Sequence, residues 1–203
     1  MNFFPTIELE KGLRTFAKLE IIALSKEDSW LRFCTFEKVT SNTRKYTIDT
    51  GDGENMIILT DGTSALIRGF DQSSGVSPYA NGNSENLMRQ IYKNAPAKYF
   101  DLLSYDEKME TSFALWNTSG TSNWDINLID PDDDGGLLYL IKFLFSSPEQ
   151  LIKWAREYHE KIFARPLIIK IWENATINGE MVLKLNKNRD LHEALTELNE
   201  FNK

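Results

Sequence analysis

The sequence predicts an α+β fold: an antiparallel sheet of five or six strands, with an N-terminal helix and C-terminal helices packed on it. Three observations predict it. Short aromatic and β-branched runs separated by turn residues fill positions 30–70. Helical periodicity brackets them, at 6–24 and again from 137 onward. With 203 residues, 41% hydrophobic and 26% charged, the chain has the profile of one ordinary soluble domain spanning 1–203.

The first helix, 6–24, sets Leu9, Leu13, Phe16 and Ala17 on one face and leaves Glu8, Lys11 and Lys18 to the surface. Four strands follow, at 29–38, 44–50, 55–60 and 64–70, separated by Ser41-Asn42, Gly51-Asp52-Gly53 and Asp61-Gly62. Short strands joined by short turns make an antiparallel meander. From 71 to 86 the chain is polar and rich in Gly, Ser and Asn; a connection that long in a compact domain is either functional or mobile. A short helix at 97–104 follows Pro96, and 110–116 reads as a fifth strand. Residues 117–134 are irregular, and 137–145 is expected as a buried helix. Ser147-Pro148-Glu149-Gln150 is a helix start: Ser as N-cap, Pro at the first helical position, Gln placed to reach back. Leu151, Ala155, Tyr158 and Ile162 then recur on one face, with Trp154 beside them. The run Leu-Ile-Ile-Lys-Ile-Trp after Pro166 predicts a sixth strand at 166–172. Asp190 and Glu193 mark the cap of a terminal helix carrying Leu191, Leu195 and Leu198.

Composition excludes several chemistries. Lys+Arg 23 against Asp+Glu 30 leaves a formal charge of −7, which argues against nucleic acid as a partner, since phosphate binding rests on basic groups. A single cysteine excludes an internal disulfide framework and a Cys-based zinc site and suggests a reducing compartment. The first residues lack a secretory pattern. The longest apolar run, 135–145, is interrupted by Lys142 and falls short of the roughly 20 residues of a membrane span, so no membrane partner and a cytoplasmic location are expected. There is no Gly-x-x-x-x-Gly-Lys phosphate loop and no Gly-x-Ser-x-Gly elbow. Cys34, inside an apolar strand, should behave as a small hydrophobe, and His159 and His192 read as surface residues on charged helix faces. No cofactor is implied and no residue is nominated as catalytic.

The acidic run Asp130-Pro131-Asp132-Asp133-Asp134-Gly135 matches the first half of an EF-hand loop, but Ile141 stands where the bidentate Glu is needed. Asp130, Asp132 and Asp134 remain candidate ligands for a hard cation in another loop geometry. The favoured reading is an acidic turn at the start of the following helix. Of five tryptophans, Trp30, Trp116, Trp154 and Trp172 are expected in the core. Trp124 is the best candidate for an exposed anchor, although burial beneath its own loop is favoured.

The segment Ala65-Leu66-Ile67-Arg68-Gly69-Phe70-Asp71, followed by Ser77-Pro78-Tyr79, resembles a signature of a family of bacterial cytoplasmic proteins to which no activity is assigned. In that family Gly-Phe-Asp is usually followed by His-Glu-Ser. Here Gln72-Ser73 replaces His-Glu, and Ser74 keeps the serine. The resemblance extends over about Trp30 to Trp172, through Thr111–Trp116, Trp124 and Trp154–Tyr158. A structural corner, with Gly69 turning the backbone out of the sheet and Asp71 bonding the following amides, accounts for the segment; a ligand site is the alternative. Candidate ligand- or partner-binding residues are therefore Asp71, Gln72, Ser74, Tyr79 and Trp124. The expected function is non-enzymatic binding of a basic protein partner, of which the toxin-neutralising immunity proteins of bacteria are one concrete class. The alternative is a carboxylate- or divalent-cation-dependent hydrolase or lyase using the Asp71 loop and the 130–134 loop, which requires those loops to meet.

Overall fold

The computed structural model describes residues 1, 3–82, 84–160 and 163–202. Helix α1 (Thr6–Ala23) leads into β1 (Cys34–Lys38), β2 (Arg44–Asp49), β3 (Asn55–Thr60) and β4 (Ala65–Phe70). Helices α2 (Pro78–Asn81), α3 (Ser84–Ile91), α4 (Ala97–Phe100) and α5 (Tyr105–Met109) precede β5 (Phe113–Asn117) and β6 (Asp125–Ile126). Then come α6 (Leu137–Leu140), α7 (Pro148–Tyr158), α8 (Arg165–Trp172), α9 (Gly179–Leu185) and α10 (Leu191–Asn202). The six strands pair in chain order as one antiparallel meander, and the fold is α+β. Among the described residues, no helix is long and apolar enough to cross a membrane.

The chain divides into two compact units, each built from separated segments. A sheet unit holds Met1–Ile7 and Glu37–Leu144; a helical unit holds Glu8–Phe36 and Phe145–Lys203. In the sheet unit, Arg44↔Thr60, Asn55↔Phe70 and Gly69↔Phe113 set the register of the central strands. One sheet face carries Ile57, Leu59, Leu66, Ala114 and Trp116, which pack with Leu87, Ile91, Tyr92, Tyr99 and Leu103. Arg68 opens onto that same face and is 2% exposed. Its Nε donates to the Glu107 carbonyl at 3.1 Å and its Nη1 bonds Asn55 Oδ1, tying α5 to the sheet.

In the helical unit, α1 is buried on nearly every side past its first turn. Phe16 and Phe33 join Phe145, Trp154 and Tyr158 in an aromatic cluster with Trp154 at its centre. The carbonyls at the end of α1, which lack helical partners, are taken up by side chains from far along the chain. Arg189 Nε donates to Ile21 O at 3.0 Å, and Asn186 Nδ2 donates to Ile22 O and Ala23 O, each at 3.0 Å. Arg32 Nη2 donates to Leu24 O and Ser25 O at 3.1 and 3.2 Å. Glu197 receives both arginines, at 2.7 Å from Arg32 and 2.6 Å from Arg189. Cations at a helix C-terminus also suit its dipole.

Several sequence expectations are corrected. Residues 166–172 belong to helix α8, not a strand: Pro166 sits in its first turn, and burial falls at Ile168, Ile171 and Trp172, a helical interval. The sixth strand is instead the two-residue β6. The start of the first expected strand is a 3₁₀ turn, Ser29–Leu31, which leaves Trp30 78% exposed. Lys18 is buried, with Nζ 5.5 Å from the Phe201 ring centroid. The His159 side chain is also buried, its Nε2 2.7 Å from Oε1 of the fully buried Glu20. Glu20 Oε2 accepts the Phe33 amide at 2.8 Å. Residues 137–145 form the single turn of α6 and a 3₁₀ turn, with Leu138 and Tyr139 exposed. Gly69 stays within β4, where the Phe113 ring occupies the space a side chain would need. Ile162 lies outside the described residues.

Candidate partner-binding face

The two polar loops singled out in the sequence meet at one end of the sheet. Strand β4 ends at Phe70, and Ser112, just before β5, stitches the region together. Its Oγ accepts the Asp71 amide at 3.0 Å and donates to Gly135 O at 2.6 Å. Asp71 Oδ1 accepts the Ser73 amide at 2.8 Å and the Ser73 hydroxyl at 2.7 Å, the local turn bonding expected of an Asp there. The junction itself is Asp133. Its Oδ1 accepts Ser74 Oγ and the Gly135 amide, both at 2.9 Å, and its Oδ2 accepts the Gly75 amide at 2.7 Å. The Gly135 amide, helped by the Ser74 hydroxyl and the Gly75 and Val76 amides, holds this carboxyl below the usual aspartate value. Close approach depends on glycine. Gly135 and Gly136 have φ of 69° and 85°, and a Cβ on Gly136 would lie 2.5 Å from Asp71 Cβ.

The candidate cation ligands do not converge. Asp130 Oδ1 accepts the Asp132 amide at 2.9 Å, while Asp134 receives the Gly136 amide at 2.9 Å and the Leu138 amide at 3.1 Å. Asp134 thus serves the start of α6, as the capping reading expects. Among the described residues, no group of three or more His, Cys, Asp or Glu is arranged to hold a metal ion.

The partner candidates separate into two kinds. Tyr79 is 65% exposed; its hydroxyl donates to Glu110 Oε1 at 2.8 Å and its ring stands edge-on to Phe70. Gln72 is exposed beside Gly53 of the β2–β3 turn. Ser74 is buried at the junction. Trp124 is no exposed anchor: it is 2% exposed, and its indole N–H donates to Phe4 O at 3.0 Å. Tyr139, which sequence reasoning did not select, is 43% exposed in the field of Glu54, Asp52 and Asp71. Burial first, and then those three acids, push its hydroxyl above the usual tyrosine value.

Beside the junction is a depression of about 300 Å³ bounded by Gly75 and Val76, by Asn86, Leu87 and Gln90 of α3, and by Ile129 and Asp130. A wider one, about 480 Å³, lies along α7 of the helical unit. It is lined by charges of both signs, with Arg165 already 2.6 Å from Glu149. Charge is also divided unevenly: the sheet unit has 16 Asp and Glu against 9 Lys and Arg, the helical unit 14 of each. The entire −7 therefore belongs to the sheet unit. No family model, no curated protein and no solved structure matches this chain.

Proposed function

We propose that this chain is a non-enzymatic binding protein for a basic protein partner, with the toxin-neutralising immunity proteins as the class it fits. The observation that carries the reading is the concentration of the whole net charge in the unit whose polar loops meet and which also exposes Tyr79 and Tyr139. Exposed aromatic rings amid carboxylates supply both contact area and attraction for lysine- and arginine-bearing surfaces. Electrostatic complementarity of this kind chiefly accelerates encounter and selects partners.

The hydrolase alternative has one observation in its favour, the contact of the two loops through Asp133 and Ser74. That carboxylate, however, is occupied by two amides and a hydroxyl. A general base must be within reach of a substrate proton, and an acid bound in this way is a structural acceptor.

The test is affinity capture of the tagged chain from its source lysate at low and high ionic strength, followed by assay of whatever is captured. A basic protein released by salt, and inhibited by this chain in its own assay, is the expected result. Capture of nothing by a folded sample would remove the proposal, as would a captured protein whose activity this chain leaves untouched.

A further inference from the structure

The depression beside the loop junction has a composition that selects one kind of side chain. Val76 and Leu87 form buried apolar walls, and Ile129 packs partly buried against the same core cluster. Asp130 and Gln90 stand at its rim, both exposed. Among the described residues, Asp130 meets only the Asp132 amide, through Oδ1, and is paired with no cation. Among the same residues, the Gln90 carboxamide has no hydrogen-bond partner.

We infer that this depression receives an arginine side chain of the basic partner. The inference rests on the proposed function and names the anchor within it. An aliphatic stem gains by lying on apolar walls while its charged end stays at a wet, acidic rim. A guanidinium offers a planar fork of donors that can serve a carboxylate and a carboxamide oxygen together, whereas an ammonium is a compact point charge without that fork. The net negative charge of the surrounding unit favours either cation over a neutral side chain.

The probe is N-acetyl-arginine N-methylamide titrated into the ¹⁵N-labelled full chain, with the lysine and norleucine counterparts as controls. The arginine compound should saturably shift the amides of Gly75, Val76, Gln90 and Asp130. The lysine compound should do so more weakly, and the norleucine compound not at all. Asp130→Asn keeps the oxygen that accepts from the Asp132 amide, so the loop is retained, and it should weaken the arginine compound by about fivefold. Shifts spread over Asp49, Asp52 and Glu54 alike, equal for arginine and lysine, would overturn the site, as would an Asp130→Asn protein that binds like the parent. The two readings fail separately. A captured basic partner indifferent to Asp130→Asn overturns the pocket and leaves the function. An arginine compound seated here with no basic partner captured does the reverse.

Discussion

In the sheet unit, Asp71, Asp133 and Asp134 sit on turns and accept backbone amides within a few residues or across one loop junction. That unit buries the cation Arg68, held by a carbonyl and an amide oxygen. The helical unit instead buries side chains of both signs: Glu20 is fully buried against His159, and Arg189 is 5% exposed between the end of α1 and two glutamates of α10. A buried charge needs partners to offset its lost hydration, and a surplus of one sign is kept near water. The helical unit, with its charges in balance, closes Arg32 and Arg189 onto Glu197 inside, and the acidic unit has carboxylates left over for another molecule.

The comparison can be broken at its strongest point by Arg189→Met. Losing the guanidinium strands the Ile21 carbonyl and leaves Glu197 with Arg32 alone, so unfolding in urea should show a loss of about 2 kcal/mol. A loss under about 1 kcal/mol would mean the network behaves as a surface one. In the sheet unit, Gly136→Ala forces a Cβ against Asp71 at positive φ and should cost about 2 kcal/mol by the same measurement. Asp133→Asn weakens the junction without crowding it and should cost about 1 kcal/mol at neutral pH. Because the folded state lowers this carboxyl, its contribution is present above the ordinary aspartate value and is lost as pH falls through the folded one. Parent and variant melting curves should therefore converge in acid. The smallest effect has the opposite sign. Burial, with a lesser contribution from Arg14, lowers Lys18 from 10.5 to about 8. Between those values the unfolded chain holds more protons, so the parent gains stability as pH rises. Lys18→Met should melt about 3 °C higher than the parent at pH 7, with the gap closing toward pH 10.5.

What could be read beforehand was what local chemistry decides. Strand β3 falls at the expected residues and α1 ends one residue early, because Asp52, Gly53, Asp61 and Gly62 punctuate the sheet and Leu9, Leu13 and Phe16 mark one helix face. Ser147 caps α7 as its type predicts, although Gln150 reaches Ser146 rather than Ser147. The isoleucines at 168, 169 and 171 suggested a strand, yet their burial follows a helical interval, a case of context overriding β-propensity. Trp30 reads as a core residue only where 29–38 is one strand, and the start of that segment is a 3₁₀ turn. Of the candidate site, the loops were visible from composition. Their junction was not: Ser74 and Asp133 lie 59 positions apart, and Glu20 and His159 lie 139 apart. No periodicity reports a pairing at that separation.

The caps on α1 set a schedule for synthesis. The carbonyls of Ile21, Ile22 and Ala23 wait for Arg189 and Asn186, partners 163 to 168 positions downstream. At roughly 5–20 residues per second, a ribosome leaves that helix end uncapped for about 10–30 s. Meanwhile all of the sheet unit's second segment has emerged, so the meander can form while the helical unit is still incomplete. A nascent chain paused before residue 186 would present the apolar face of α1 without its closing partners, and that interval is when a chaperone would find the most to hold.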